Sequence, residues 1–246
     1  MEIHPIAHFR SPLKSKFGIP RQSGLAESLV GCIVFEPPYR HLEALRGIEG
    51  FDYLWLIWEF SANRAVSGES NLTVRPPRLG GNTRMGVFAT RSPFRPNRLG
   101  LSCVRFDRIE EHPDLGPVIY VKGADLMDGT PIYDIKPYVV YADSHPEARS
   151  GFVDQTEWKP LKVDIPDHLA RLFSTEDLET LRQTLALDPR PSYHDDAERI
   201  YGMPFGDYDV RFLVADGVVK VVDCVESSSP KVFPGLVHED TTETQQ

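Results

Sequence analysis

Apolar and polar positions alternate with short periods through the first half of the chain, and the rhythm changes in the second half. Residues 3–9 (IHPIAHF) read as a first strand, with Pro5 marking an edge or a bend. Val30–Glu36 (VGCIVFE) is β-rich and stops at Pro37-Pro38. Tyr39–Arg46 predicts a short helix with Leu42 and Leu45 inward, ended by Gly47 and Gly50. Phe51–Phe60 (FDYLWLIWEF) is the most apolar segment and predicts a central strand, with Trp55 and Trp58 as core residues. A short strand is expected at Met85–Thr90. Leu101–Ile109 and Pro117–Lys122 alternate as strands around a turn at Glu110–Gly116. Six strands by residue 122, with little helix, predict a closed barrel or a sandwich. Ala124–Tyr138 reads as a loop, with a turn signal at Asp128-Gly129, and 143–166 as a linker. Beyond it Ser174 caps a helix that has Asp177 at the capping-box position and Leu178, Leu181 and Leu185 on one face, ending at Asp188-Pro189. Val210–Glu226 is a hairpin around Asp216-Gly217. The expected class is mainly β (α+β). Residues 1–164 form a first β-rich domain, 165–226 a small α+β domain and 227–246 a flexible tail.

Composition fits this picture. The 21 prolines and 18 glycines among 246 residues favour many short elements. Cys32, Cys103 and Cys224 are far apart without a CxxC pair, which suits a reducing cytoplasm and argues against a zinc knuckle. No apolar run is long enough to span a membrane, and the start of the chain lacks the features of a signal peptide. His4 and His8 are read as structural or surface residues, so no metal is expected. GxGxxG, the GxxxxGK[ST] phosphate loop, HExxH and GxSxG are all missing, which disfavours a Rossmann enzyme.

Charge changes the picture more. The net charge is −9, yet the window from Thr73 to Gly100 carries six arginines and no carboxylate. Arg75, Arg78, Arg84, Arg91, Arg95 and Arg98 therefore make a basic island in an acidic chain. Guanidinium forks onto phosphate or carboxylate, so the island points to an anionic ligand such as RNA. Pro20-Arg21-Gln22 adds a cation and an amide on a polar loop. Asp125, Asp128, Asp134 and Lys136 crowd the stretch ADLMDGTPIYDIKPY, whose spacing matches no calcium loop. The rigid turn DPRPSY places Arg190 near Tyr193, and Arg211 follows on the hairpin. Arginine reaches phosphate and tyrosine stacks on unpaired bases.

Pro20-Arg21-Gln22, the run TVRPPRLGGNTRMGVFATRSPFRPN and DLMDGTPIYDIKPY together resemble the TrmO (TsaA-like) family, over roughly residues 3–225. The resemblance implies an S-adenosylmethionine-dependent methyltransferase acting on N6 of threonylcarbamoylated adenosine beside the tRNA anticodon. It implies an N-terminal closed β-barrel that binds the cofactor, and a homodimer. Carried over, cofactor contacts come from Pro20, Arg21, Gln22, Arg91, Leu101, Asp125, Leu126, Met127 and Asp128. Ser61 and Ala62 stand where related sequences carry His-Gln, so an imidazole and an amide are missing there. Asp134 and Lys136 are the candidate catalytic pair. Arg75, Arg78, Arg84, Arg95, Arg190 and Tyr193 are candidates for holding the anticodon stem-loop. On this reading the C-terminal domain presents RNA and is dispensable for cofactor binding. The alternative is a non-catalytic RNA- or nucleotide-binding protein using the same basic loop.

Overall fold

The computed structural model describes residues 2–63, 72–156, 159–190 and 196–227. Six strands form the first sheet: β1 (Ala7–Arg10), β2 (Val30–Phe35), β3 (Tyr53–Glu59), β6 (Leu99–His112), β7 (Gly116–Lys122) and β8 (Pro131–Pro137). Their order is β1-β2-β7-β6-β3-β8, and β8 pairs with β1 as well as β3, so the sheet closes on itself. Closure removes the sheet edges that would otherwise expose unpaired backbone groups. Between β3 and β6 lies a two-stranded ribbon, β4 (Thr73–Val74) with β5 (Met85–Gly86).

β3 sets the inside and outside of this sheet. Leu54, Leu56 and Trp58 alternate inward and are buried, against Phe9, Ile33, Val104, Ile119 and Ile132. Tyr53, Trp55 and Ile57 face the other side. Burying each leucine contributes about 1.5–3 kcal/mol. β6 bends at a register shift between Phe106 and Arg108, which lets one 14-residue strand pair with β3 at its start and β7 at its end.

A second sheet has the order β10-β11-β12-β9, from β9 (Lys162–Asp164), β10 (Tyr201–Phe205), β11 (Tyr208–Ala215) and β12 (Val218–Glu226). Among the described residues three helices accompany the sheets: α1 (Val140–Asp143), α2 (Asp167–Ala170) and α3 (Thr175–Ala186). Ser174 caps α3, its Oγ accepting from the Asp177 backbone N–H at 3.1 Å. The β11–β12 hairpin turns at Asp216-Gly217, both at positive φ.

Several expectations need correction. Pro131–Pro137 is a strand, not a loop; its prolines sit at its two ends, where they interrupt no ladder. Tyr39–Arg46 forms no α-helix: three 3₁₀ turns run from Pro37 to Gly50, and Leu42 is exposed while Leu45 is buried. Met85–Thr90 gives two paired residues followed by a 3₁₀ turn at Val87–Ala89. The first strand begins only at Ala7, after Pro5. Lys162–Asp164, on the barrel side of the expected boundary, pairs in parallel with β12 in the second sheet. The tail beyond Ser227 lies outside the described residues.

The segment between β1 and β2 joins the two sheets. Leu13, Ala26 and Leu29 are buried in one core with Leu181, Leu185, Met203 and Phe212 of the second sheet and α3. Gly206 N–H donates to Pro12 O at 3.1 Å. Gln183 Oε1 on α3 accepts from the Ser28 backbone N–H and from its hydroxyl, at 3.0 and 2.9 Å. At Gly18, φ is +95° and a Cβ would lie 2.5 Å from Met203 Sδ, so the close approach needs glycine.

Candidate active site

A cavity of about 210 Å³ opens where the end of β3, the segment before β2 and the turn after β7 meet. Its apolar wall includes Ile19, Trp58, Phe60 and Met127; its polar groups include Lys16, Glu59, Asn63 and Asp125. The pattern fits a ligand with a flat apolar part and charged ends. Trp58 and Phe60 meet edge to face, with ring centroids 4.3 Å apart.

The residues from Asp125 to Asp128 divide by alternation. Asp125 and Met127 line the cavity, while Leu126 turns into the barrel core. Asp128 accepts from the Ser11 backbone N–H at 3.2 Å and lies 3.7 Å from Arg10. It pins the segment after β1 instead of lining the cavity.

Asp125 is held by a short relay. Trp58 Nε1–H donates to Ser102 Oγ at 2.9 Å, and the Ser102 hydroxyl donates to Asp125 Oδ1 at 2.5 Å. Burial pushes the Asp125 carboxyl above the usual carboxylate range. The Ser102 hydroxyl, backbone N–H groups including that of Ser23, and the Arg91 charge pull it back without cancelling the burial. A bound cation would complete the site. Glu59 is already satisfied: Arg98 lies 2.7 Å from one oxygen, and the Tyr133 hydroxyl donates to the other at 2.7 Å. Burial, and then this Glu59 contact, push Tyr133 up to about 12, so it stays a donor.

Pro20-Arg21-Gln22 splits three ways. Pro20 is buried, and Gln22 Oε1 accepts from Arg91 Nη1. Arg21 lines a second cavity, of about 240 Å³, with Lys16, Pro77, Asp188 and Arg190. Ser61 and Ala62 line the first cavity, as their place after the central strand suggested. Leu101 does not: it is 57% exposed on the outer face of β6, opposite Ile57. Sequence reasoning missed Lys16 and Asn63, whose side chains hydrogen-bond across the mouth of the cavity. A cation two residues beyond a loop lysine carries no pattern that would single it out.

Asp134 and Lys136, the candidate catalytic pair, lie away from the cavity of their own chain. β8 sets them against Ile57 and Trp55 on the outer face, where they form an ion pair at 3.2 Å, and neither lines the cavity. The basic window behaves unevenly. Arg95 donates to the carbonyls of Thr90 and Ser92, and Arg98 holds Glu59, so both brace the loop. Arg75 and Arg84 are exposed and Arg78 half-buried, with no ion pair among the described residues. The exposed rings of Phe88 and Phe94 lie in the same window. Arg190 is held bidentately by Asp188, at 2.8 and 3.0 Å. Tyr193 lies outside the described residues. No group of histidine, cysteine and carboxylate side chains suited to a metal occurs among the described residues.

Comparison with known proteins supplies the family. The model of the tRNA-methyltransferase O N-terminal domain matches residues 8–144, and that of the TrmO C-terminal domain matches residues 159–227. A tRNA (adenine(37)-N6)-methyltransferase of Escherichia coli is 38% identical over 228 residues, covering 89% of this chain and 96% of that protein. A putative S-adenosylmethionine-dependent methyltransferase of Pseudomonas aeruginosa, RcsF, is 40% identical over 218 residues, covering 85% and 91%. The crystal structure of TrmO from Pseudomonas aeruginosa superposes with a TM-score of 0.73 at 33% identity, over 92% of this chain and 98% of that one. With both family domains matched in order along it, the chain belongs to the TrmO family of tRNA methyltransferases.

Proposed function

We propose that the chain is an S-adenosylmethionine-dependent methyltransferase that methylates N6 of threonylcarbamoylated adenosine beside the tRNA anticodon. The observation that carries this reading is the half-buried Asp125 carboxyl, braced by Ser102 and Trp58, facing an apolar cavity beside Arg91. The residues fit the cofactor. Asp125 would hold its ammonium, Arg91 its carboxylate, and Trp58, Phe60 and Met127 its flat and apolar parts. When bound, the cofactor supplies an electrophilic methyl group. The chain's own part is positioning, which can account for much of such an acceleration. Loss of Arg91 by Arg91→Ala is expected to weaken cofactor binding about tenfold or more, since a charge-assisted hydrogen bond contributes about 1.5–3 kcal/mol. The decisive experiment is methyl incorporation into tRNA, read as N6-methylated threonylcarbamoyladenosine by nucleoside mass spectrometry. Labelled cofactor bound without any transfer would favour the non-catalytic reading.

Asp125 sets a pH dependence. Its ionised form is needed to hold a cation, and burial raises its pKa above the ordinary 3.8. Cofactor affinity is therefore expected to fall as pH drops through this raised value, before an ordinary carboxylate would titrate. Asp125→Asn should remove that limb and be weak at every pH. Calorimetric titration between pH 4.5 and 8 measures it; an unchanged acid limb in the variant would assign the titration elsewhere.

RNA would lie across the basic window, where Arg75, Arg78 and Arg84 present cations and Phe88 and Phe94 present faces for unpaired bases. The C-terminal unit, with Arg190 and Tyr193, would help present the anticodon loop. We place the enzyme in the cytoplasm, in keeping with its three free cysteines, and as a homodimer. Support for the dimer comes from the outer face of β3 and β6. Tyr53 and Leu101 are exposed there, and Val140 and Tyr141 of α1 add sides 71% and 91% exposed. Leu101 points away from its own cavity, so a cofactor contact from it would require a second copy. Light scattering at micromolar concentration should give twice the chain mass, and Leu101→Glu should halve it. A fully active monomer would sink the dimer.

A further inference from the structure

The second cavity adjoins the first. Lys16 and Ile19 line both. Its walls come from the segment before β2, from Pro77 in the basic window, and from the chain that follows α3. Among its described lining residues are three cations, Lys16, Arg21 and Arg190, and one carboxylate, Asp188. Asp188 is committed to Arg190 through both oxygens. Arg21 has no hydrogen-bond or ion-pair partner among the described residues. Among the described residues Lys16 meets only the neutral amide of Asn63. Among the described residues the cavity therefore holds two cations without a carboxylate partner, Lys16 on the wall it shares with the first cavity and Arg21 beyond it.

On the function proposed above, the reacting nitrogen carries a urea whose far end is an amino-acid carboxylate. Covalent geometry puts that carboxylate about 5 Å from the nitrogen. A nitrogen placed for reaction in the first cavity can therefore reach the adjoining one with its carboxylate. We propose that the second cavity is the subsite for the carboxylate of the threonylcarbamoyl group, read by Lys16 and Arg21. Arg21 is thereby moved from the cofactor to the acceptor. Asp188 keeps Arg190 fixed and leaves the other two cations free for the substrate. Such a subsite gives specificity of a definite kind. A site built to pair a charged group rejects the analogue that lacks it, because its own charges are left unpaired. Unmodified adenosine would place nothing there.

An anion in this cavity could also be an RNA phosphate, and the test separates the two sources. Two anticodon stem-loops are compared, one carrying threonylcarbamoyladenosine and one carrying the same group with its carboxylate converted to the uncharged carboxamide. The wild-type enzyme should prefer the carboxylate by about ten- to a hundredfold in kcat/KM. In Lys16→Gln and Arg21→Gln the preference should shrink, and in the double variant approach unity. Circular dichroism checks that the variants fold, and Lys16→Arg should restore part of the preference. Equal losses on both stem-loops, with the preference kept, would assign the cations to phosphate and overturn the subsite. Equal wild-type rates on both stem-loops would overturn it as well. No transfer by the wild-type enzyme to either stem-loop would sink the parent function, and the subsite with it.

Discussion

A chain ending at residue 164 is expected to lose cofactor binding, not only RNA binding. The sequence suggested otherwise, since the second unit contains no cofactor motif. The fold argues against that expectation through the segment between β1 and β2. This segment carries Pro20-Arg21-Gln22, and its anchors Leu13, Ala26 and Leu29 are buried in the core of the second unit. Truncation would expose two leucines whose burial contributes about 1.5–3 kcal/mol each. It would also strip Ser28 of its bonds to Gln183, and Pro12 of its bond from Gly206. Ile19, which lines the cavity, packs against the same core. The barrel itself has its own closed sheet and core and should survive. The expected result is a folded fragment by circular dichroism with cofactor affinity down at least about tenfold. A milder variant makes the same point in the full chain. Leu29→Ala should cost about 2–5 kcal/mol locally and loosen the loop without removing any residue that lines the cavity. Full cofactor affinity in the folded fragment would show that the loop holds its shape unaided.

Legibility followed the range of the interactions. β2, β3, β7, α3 and the β11–β12 hairpin were readable because each announces itself locally, by apolar alternation, a serine cap or an Asp-Gly turn. β8 was not, because Pro131, Asp134, Lys136 and Pro137 spoil the pattern; it is a strand because β1 and β3 pair with it from both sides. That error misplaced Asp134 and Lys136. A loop would have left them free to reach a cavity, whereas a strand fixes them on the side of Ile57 and Trp55. Asp125 and Met127 were legible as candidates and both line the cavity, but the division of labour with Leu126 and Asp128 depends on which way alternate side chains turn. The hybrid character of Trp58 was half legible. It is a core residue, as its apolar surroundings imply, and its one polar atom reaches the site through Ser102.

Gly100→Ala is expected to disable the site from a position that touches no ligand. Gly100 on β6 pairs directly with Trp58 on β3. A Cβ at position 100 would lie 2.3 Å from Trp58 Cε2 and 2.5 Å from Cζ2. The indole is almost wholly buried and packs on Phe60, so it has no free rotamer to retreat to. Overpacking of this kind costs about 1–3 kcal/mol. The displaced indole also leaves Ser102, whose hydroxyl then loses the donor that orients it toward Asp125. Cofactor affinity should fall by about tenfold or more, accompanied by a shift in tryptophan fluorescence. A lower thermal midpoint alone would not separate the relay from simple destabilisation, so a second substitution is needed. Combining Gly100→Ala with Trp58→Phe removes the colliding ring and should recover much of the thermal midpoint. It cannot restore a donor to Ser102, because phenylalanine has none. The double variant should therefore be nearly as stable as the parent and still bind cofactor weakly. Recovery of binding together with stability would show that the Trp58–Ser102–Asp125 relay contributes only packing.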